Sequence, residues 1–363
     1  MASRKDLAAQ AAINKAIRDA AIKHTIDLHK YANSVVRDVL AVLNEADKAL
    51  ADRLVAGLLR LTETSSTFNV RRLDEMLTGV RDLIAQTYAQ AQSSLGAELK
   101  DFTAYELAYQ QRTMDAHTPS NVSVSMPSAE QVVSAASDAP FKGRLMTEWF
   151  GGLQDTAAQR VRDITSQGLT QGKTVQEMVQ EVRGTKAQNF QDGALAIDKR
   201  SAEAVVRTAV SHYASEARDS FFAANSDIIE TQQWLSTLDN RTTPECMARD
   251  GKLYTLEGDP VGHDLEWMGG PGQIHWNCRS MAIPIVSIPG LDLPKSERAS
   301  MNGPVDGSTT YSGWLSTQPE KIQNDVLGTK RAAMYRSGEL SFKAFFNDKG
   351  TFLTLEQLKA RGS

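Results

Sequence analysis

The chain contains only two cysteines, Cys246 and Cys278, and two of its six histidines lie between them. Thiolate sulfur and imidazole nitrogen are the donors that zinc prefers in proteins, and His275 with Cys278 has the H-x2-C spacing of one half of many zinc sites. The candidate metal ligands are therefore Cys246, His275, Cys278 and, as the fourth, His263 or a carboxylate such as Asp239. A single structural zinc ion is the cofactor that this set predicts.

The same two cysteines allow two other interpretations. Free cysteine is among the residue types most often buried, so both side chains could be thiols packed in a core. A disulfide between them would require an oxidising compartment. The sequence has no C-x2-C pair. Spacing alone therefore does not choose among a metal, two free thiols and a disulfide.

The segment between Leu256 and Gln273 needs local stabilisation. Its helix- and strand-breaking residues are Gly258, Pro260, Gly262, Gly269, Gly270, Pro271 and Gly272. Such residues leave backbone amides without hydrogen-bond partners in a helix or sheet, and they bury little apolar surface. The entropy lost on ordering this segment must be offset nearby, and side-chain ligands on a metal would do so. We therefore predict a loop pinned by its Cys and His side chains.

The elements that must position these residues are a helix and three short strands. Apolar residues at helical spacing predict a helix over 198–225, and β-branched or alternating runs predict strands over 228–235, 252–256 and 281–286. Together they would form a small α+β unit. A sheet of this size needs both the helix and the pinned loop for stability.

Motifs around this unit resemble the phage Mu F-like head morphogenesis family, the minor head proteins of tailed phages. The motifs are Arg207-Thr208, Leu238-Asp239, Arg241-Thr242, Cys246, Asp250-Gly251, His275-x2-Cys278-Arg279 and Ile283-Pro284. Family members typically read D-x-R-T-x3-C, then D-G, then P-x-H-x-x-C-R-C before a short hydrophobic strand. The resemblance covers about residues 143–363. Ser280 stands at the third cysteine of the family pattern. If that cysteine is a metal ligand in relatives, His263 must replace it here or the site is vacant.

The resemblance implies a virion structural protein. Its expected place is the phage head interior or the portal vertex, after assembly in the host cytoplasm, and its expected role is head morphogenesis and DNA packaging or ejection. The implied partners are the portal protein and other head proteins, with further copies of this chain and phage DNA as additional candidates. The resemblance also implies structural roles for Arg207, Asp239, Arg241, Thr242, Asp250, Gly251 and Arg279. Arg207 is expected to bridge its helix to Asp239 or another carboxylate across the fold.

A zinc-stabilised nucleic-acid-binding module is one alternative function. Trp267 and Trp276 are candidates to stack on bases, and Lys252 and Arg279 to contact phosphates. No basic stripe flanks these residues, however, and the net charge of −4 argues against a protein that coats nucleic acid.

A metal-dependent nuclease is the other alternative. Zinc catalysis needs an open coordination position and a general base, and Asp264 and Glu266 lie near the candidate ligands in sequence. The H-E-x-x-H helix and the deaminase pattern are both absent. We therefore predict that the protein is not an enzyme.

Residues 1–117 are predicted to form a long antiparallel helical hairpin. One apolar stripe with intervals of three and four runs from Val35 to Leu61 and a second from Val70 to Phe102. The hydroxyl-rich segment Thr62–Thr67 between them favours a turn. The first thirty residues could form a separate helix. His24 has no spaced partner and is predicted to lie on the helix surface.

The predicted fold class is mainly α: the N-terminal hairpin, a small α+β Mu F-like domain and an extended C-terminal tail. The boundaries are 1–117 for the hairpin, 118–142 for a linker that could also wrap a neighbour, 143–288 for the α+β domain, and 289–363 for a connector and small helical tail. The tail is expected to dock on the main domain or on a neighbouring subunit. No window approaches the apolar run that a membrane span requires, and two cysteines fit a reducing cytoplasm.

Overall fold

The computed structural model describes residues 4–64, 70–287, 297–306 and 309–362. Half of the turn predicted at Thr62–Thr67 lies outside these residues, as does much of the predicted connector. The described chain is mainly α-helical with a small antiparallel sheet, which confirms the predicted fold class. None of the described helices combines the length and apolar composition that crossing a membrane requires.

The described elements follow one another along the chain with short 3₁₀ turns at Lys186–Gln188 and Phe342–Phe345. The α-helices are α1 (Arg4–Thr64), α2 (Val70–His117), α3 (Ala129–Asp138), α4 (Met146–Thr170), α5 (Val175–Arg183), α6 (Ala194–Ala224), α7 (Pro244–Arg249), α8 (Tyr311–Ser316), α9 (Glu320–Leu327), α10 (Thr329–Ser337) and α11 (Leu355–Gly362). The strands are β1 (Ile229–Leu235), β2 (Leu253–Tyr254), β3 (Pro260–Val261), β4 (Met281–Val286), β5 (Glu297–Ser300) and β6 (Gly303–Asp306).

Contacts group the chain into two compact units, each discontinuous in sequence. The sheet unit comprises Met1–Lys30, Phe102–Ser134 and Ser211–Ser363, and the helical unit comprises Tyr31–Asp101 and Ala135–Val210. Helices α1, α2, α3 and α6 each contribute residues to both units. Each unit therefore combines segments that the sequence analysis assigns to different domains.

In the helical unit, α1 and α2 run antiparallel, as the two apolar stripes predict. The Tyr31 hydroxyl donates to the Glu98 carbonyl at 3.0 Å, and Arg53 donates to the Gly79 carbonyl at 2.7 Å. Early residues of one helix thus meet late residues of the other. Helix α1 is continuous from Arg4, so the first thirty residues do not form a separate helix.

A reciprocal capping box begins α5 in the helical unit. The Thr174 amide donates to the Glu177 carboxylate at 2.7 Å, and the Glu177 amide donates to the Thr174 hydroxyl at 3.2 Å. The two bonds satisfy backbone donors that the first turn of a helix leaves free. The T-x-x-E spacing visible in the sequence is therefore sufficient to locate this helix start.

The sheet unit contains a four-stranded antiparallel sheet with the order β3-β2-β1-β4. Strand β1 lies inside the sheet, and its Trp234 is opposite Ala282 of β4. Strand β2 is shorter than predicted, and β3 lies within the Gly/Pro-rich segment that was predicted to be a loop. Pro260 can occupy β3 because an edge strand tolerates a residue without an N–H group.

The first part of α1 also belongs to the sheet unit and packs on the sheet. An apolar cluster joins Ala21, Ile22, Leu235, Met281 and Ile283. The Asn14 side chain donates to the Val286 carbonyl at 2.9 Å and accepts from the Val286 amide at 2.6 Å. The end of β4 is thereby fixed to the first helix of the chain.

The segment predicted as a linker folds against its own chain. It contains α3, and its Val122 and Val124 pack on the core of the sheet unit. The Asn225 side chain accepts from the Ser125 amide at 2.7 Å and donates to the Ser125 carbonyl at 2.9 Å. These two bonds satisfy the backbone amide and carbonyl of Ser125, which have no neighbouring strand to pair with.

The C-terminal residues of the sheet unit dock on their own chain. One core cluster contains Leu238 and Met247 together with Tyr311, Trp314, Leu315, Phe345 and Leu358. The Met301 amide also donates to the Leu238 carbonyl at 2.9 Å. Strands β5 and β6 form a hairpin inside the predicted connector. The structure therefore shows the C-terminal tail docked on the main domain of its own chain, which is one of the two predicted alternatives.

A buried ion network joins α1, α2 and α6 inside the sheet unit. Glu106 is fully buried and accepts hydrogen bonds from His24 at 2.5 Å, Gln110 at 2.9 Å and Arg218 at 3.0 Å. Burial raises the pKa of Glu106, but the hydrogen bond from His24 and the charge of Arg218 lower it by more, so the net pKa lies below its usual range. The prediction that His24 lies on the helix surface is wrong. No local pattern indicates its burial, because its partner, Glu106, is 82 residues away.

We expect Glu106→Gln to lower the free energy of unfolding by about 3–5 kcal/mol, because it leaves the buried Arg218 cation without a counter-charge. Chemical denaturation followed by circular dichroism measures the change. Glu75→Gln, which removes an exposed ion pair with Arg71, is the control and should leave stability unchanged within error. Equal effects of the two substitutions would contradict a stabilising role for the buried network.

Candidate metal centre

Three of the four predicted ligands converge in the sheet unit. The donor atoms of Cys246, His275 and Cys278 all lie within 4.8 Å of one another. The Cys246 sulfur is 3.2 Å from Nε2 of His275 and 3.7 Å from the Cys278 sulfur. Both sulfurs belong to buried side chains, and His275 is half-buried. The three side chains thus form a compact set of soft donors.

A short helix and a turn bring these donors together. Cys246 lies on α7, whose first residue is Pro244, a residue pre-organised for that position. His275 and Cys278 flank a turn before β4, closed by a hydrogen bond from the Cys278 amide to the His275 carbonyl at 3.2 Å. Asn277 occupies the left-handed region in this turn, with φ 57°, which asparagine tolerates better than most residues.

Backbone groups orient the His275 and Cys278 side chains. Nδ1 of His275 donates to the Trp276 carbonyl at 2.9 Å, which fixes the ring with Nε2 toward the Cys246 sulfur. The Gly272 amide donates to the Cys278 sulfur at 3.3 Å. Gly272 has φ +91° and a Cβ added there would lie 3.3 Å from the Ser211 carbonyl, so this position favours glycine.

The spacing of the two sulfurs fits a zinc ligand pair. At 3.7 Å they are not joined by a disulfide, since a disulfide bond is about 2.05 Å long. Two thiolates on a tetrahedral zinc ion, with Zn–S bonds of about 2.3 Å, are about 3.8 Å apart. The chemistry and the separation of the donors therefore favour the metal interpretation.

The pKa values of the two cysteines are shifted in opposite directions. The hydrogen bond to Cys278 and burial raise the pKa of the Cys246 thiol well above its ordinary value. The hydrogen bond from Cys246 and the neighbouring His275 hold the pKa of the Cys278 thiol well below its ordinary value, although burial opposes them. Burial lowers the pKa of His275, but its hydrogen bond to Cys278 and the charge of that sulfur raise it by more. These directions favour the thiolate form of Cys278, which is the form that binds metals, whereas Cys246 would release its proton on binding an ion.

His263, the predicted fourth ligand, lies outside this cluster. Its Nε2 is 2.8 Å from the Leu253 carbonyl, and its ring contacts the Tyr254 ring edge-on with centroids 4.8 Å apart. Burial lowers the pKa of His263. A neutral imidazole that donates to a carbonyl of β2 helps to hold the segment between β2 and β4.

Asp239, the alternative fourth ligand, forms an ion pair with Arg279. Both guanidinium Nη groups donate to its carboxylate, one of them at 2.8 Å. The carboxylate also accepts from the Arg241 amide at 3.0 Å and the Thr242 hydroxyl at 3.2 Å. Burial raises the pKa of Asp239, but the hydrogen bonds and charge of Arg279 lower it by more, to a net value below the usual range. This ion pair fixes the residue next to Cys278.

Asp250 and Gly251 fix the other cysteine-bearing element. The two carboxylate oxygens of Asp250 each accept a backbone amide at 2.8 Å, one from Ser236 and one from Tyr311. Gly251 has φ +78° and its amide donates to the Trp234 carbonyl at 2.8 Å. The Asp-Gly pair thus ends α7 and ties it to β1 and to the C-terminal residues.

The expected bridge between Arg207 and Asp239 is not formed. Arg207 donates to Glu203 at 3.0 and 2.7 Å and to the Asn33 side chain, all within the helical unit. Glu203 lies four residues earlier on α6, where a helix places such a pair side by side. Arg279 supplies the cation for Asp239 instead.

Several residues that support the site were not predicted. The hydroxyls of Ser211 and Ser236 donate to the carbonyls of Cys278 and Cys246 at 3.1 and 2.8 Å. The buried Arg249 side chain donates to the Glu266 carbonyl at 2.8 Å and the Lys349 carbonyl at 3.0 Å. No motif marks such contacts, because they depend on which backbone groups the fold leaves free. Thr243 and Pro244, the residue before α7 and its first residue, were the sequence signal available for that helix.

We expect the purified chain to bind about one equivalent of zinc and to protect both thiols from titration. Cys278→Ser should lose the metal and lower the melting temperature by several degrees, with the helicity of the N-terminal hairpin retained at low temperature. Chelator should lower the melting temperature of the wild type and leave that of the variant unchanged. Equal melting of wild type and variant would contradict a stabilising metal centre.

The Asp239–Arg279 ion pair predicts a pH dependence. The folded-state pKa of Asp239 lies below the ordinary value of 3.8, so the pair stabilises the fold above about pH 4 and this contribution is lost as the pH falls through the folded-state pKa. Asp239→Asn should lower the free energy of unfolding by about 3 kcal/mol at pH 7. The difference from wild type should shrink below pH 4; a constant difference from pH 7 to pH 3 would argue against the ion pair.

A scan of protein families matches residues 159–283 to the family described as Phage Mu protein F like protein. The matched segment runs from α4 into β4 and includes Cys246, His275 and Cys278. Neither a search of curated proteins nor a search of solved structures gave a match to the chain. The match agrees with the family that the motifs predicted: residues 159–283 of this chain are similar to phage Mu F-like proteins.

Proposed function

We propose that this protein is a structural component of the phage head that acts at or near the portal vertex in head morphogenesis and in DNA packaging or ejection. The observation that carries the proposal is the family match over residues 159–283, the segment that contains the candidate metal centre. The proposed partners are the portal protein and other head proteins, with further copies of this chain and phage DNA as additional candidates. The domain boundaries at 117, 142 and 288 stay a prediction.

The surroundings of the metal centre support a structural role. The carbonyl groups of both cysteines accept hydrogen bonds from serine side chains, and each cysteine lies next to an element fixed by a buried carboxylate. Such an arrangement holds ligands in place. A zinc ion bound by Cys246, His275 and Cys278 would cross-link α7 to the turn before β4, and this stabilisation is the chemistry that we assign to it.

The nucleic-acid alternative is weaker because one predicted stacking residue is engaged in the fold. Trp267 packs between Trp234 and Tyr254, with ring centroids 5.5 and 4.8 Å away. A ring in such contacts is not free to stack on a base. We therefore favour the head protein over a DNA-reading module.

Purified phage particles provide the test. We expect mass spectrometry to find this chain in mature heads, and we expect deletion of its gene to reduce the yield of DNA-filled heads. A plasmid copy of the wild-type gene is the control and should restore the yield. Absence of the chain from particles, together with a normal titre of the deletion phage, would refute the proposal.

A further inference from the structure

The metal centre has three protein donors. Structural zinc sites are almost always closed by four protein ligands, whereas a set of three leaves one position for a donor from outside the chain. Among the residues that the structure describes, the group of His, Cys, Asp and Glu donors at this site consists of Cys246, His275 and Cys278. The identity of the fourth donor is therefore the open chemical question at this site.

The two residues predicted as a fourth ligand are engaged elsewhere. His263 uses Nε2 to hold the Leu253 carbonyl, and its Nδ1 accepts from the Leu265 amide at 3.2 Å. Asp239 is held by both Nη groups of Arg279 and by two further donors. Recruiting either side chain would break these hydrogen bonds and leave buried polar groups unpaired, at a cost of about 1–3 kcal/mol for each group.

Two hydroxyl groups lie beside the Cys246 sulfur. They belong to Thr243, the residue before α7, and Ser280, the residue before β4, and both interact with that sulfur. Apart from this weak contact, the buried hydroxyl oxygen of Thr243 has no hydrogen-bond partner among the described residues. The Ser280 hydroxyl also donates to the Ser236 hydroxyl at 3.4 Å. Buried hydroxyls normally find a partner, so the Thr243 hydroxyl favours a polar ligand beside it.

The residues around the cluster differ in exposure. His275 is half-buried, and the next two residues, Trp276 and Asn277, are exposed. Thr243 is also only half-buried, whereas Cys246 and Cys278 are buried. We therefore place the approach of a small donor on the side of His275 and Thr243.

We propose that Cys246, His275 and Cys278 form an open zinc site whose fourth position takes a small exogenous donor, either solvent or a small anion, beside the hydroxyls of Thr243 and Ser280. This inference rests on the metal centre proposed above and is independent of the protein's place in the phage head. Ser280 lies two residues after Cys278, so an extended chain places both side chains on the same side. A cysteine at this position would close the site.

Cobalt substitution in the full chain tests the proposal, with azide as the exogenous donor. Cobalt(II) reports its ligands through d–d bands and through sulfur-to-metal charge-transfer absorbance, which grows with the number of thiolates. We expect azide to shift the d–d bands of the wild type. Ser280→Cys should raise the charge-transfer absorbance by about half, from two thiolates to three, and abolish the azide shift.

Three variants separate the possible fourth ligands. Glu245 lies close enough to His275 to influence its charge, so Glu245→Gln is tested beside His263→Ala. Both should keep the wild-type cobalt spectrum and its azide response. Thr243→Val should bind cobalt but respond only to higher azide concentrations, because one hydroxyl beside the ligand is lost.

Two results would overturn the open site. One is a wild-type cobalt spectrum that does not shift when azide is added, and the other is a cobalt spectrum of His263→Ala or Glu245→Gln that differs from that of the wild type. If Ser280→Cys does not fold, the azide titrations of the wild type and these two variants decide the question. A chain that binds no cobalt would refute both this inference and the metal centre, while the particle experiment would still decide the function in the head.

Discussion

Two buried carboxylates determine where the two cysteines lie, and the rest of the site depends on them. Asp239 holds Arg279, the neighbour of Cys278, and Asp250 ends the helix that carries Cys246. Without these bonds, α7 and the turn before β4 would have few fixed points, because the segment between β3 and β4 forms no strand. The thiols approach to 3.7 Å because their flanking backbone is already held.

The same carboxylates connect the site to the C-terminal residues. Tyr311 donates its amide to the Asp250 carboxylate and its hydroxyl to the Asp239 carbonyl at 2.6 Å. Burial raises the pKa of the Tyr311 hydroxyl, which therefore stays a donor. The C-terminal core and the metal centre share these groups, so a change that loosens one loosens the other. This coupling suits a protein whose surfaces must keep one geometry during assembly.

Sequence patterns predicted what local spacing controls. The H-x2-C pair and the long helices repeat or pair within a few residues. Side chains that pair across the chain gave no such signal: His24 meets Glu106, 82 residues away, and Asp239 meets Arg279 rather than Arg207. Helix α7 was missed because six residues are too few to show a period.

The bond between Asn14 and Val286 spans 272 residues, so it can form only after β4 has been synthesised. Ile13 and Ile17 of α1 are buried against residues of α6, β1 and β4, all of which are synthesised much later. At about 5–20 residues per second, the ribosome completes β4 roughly 15–50 seconds after Asn14. During that time Ile13 and Ile17 lack their partners in α6 and the sheet, and only cluster members on α2 and α3, such as Leu107 and Val132, are already available to cover them.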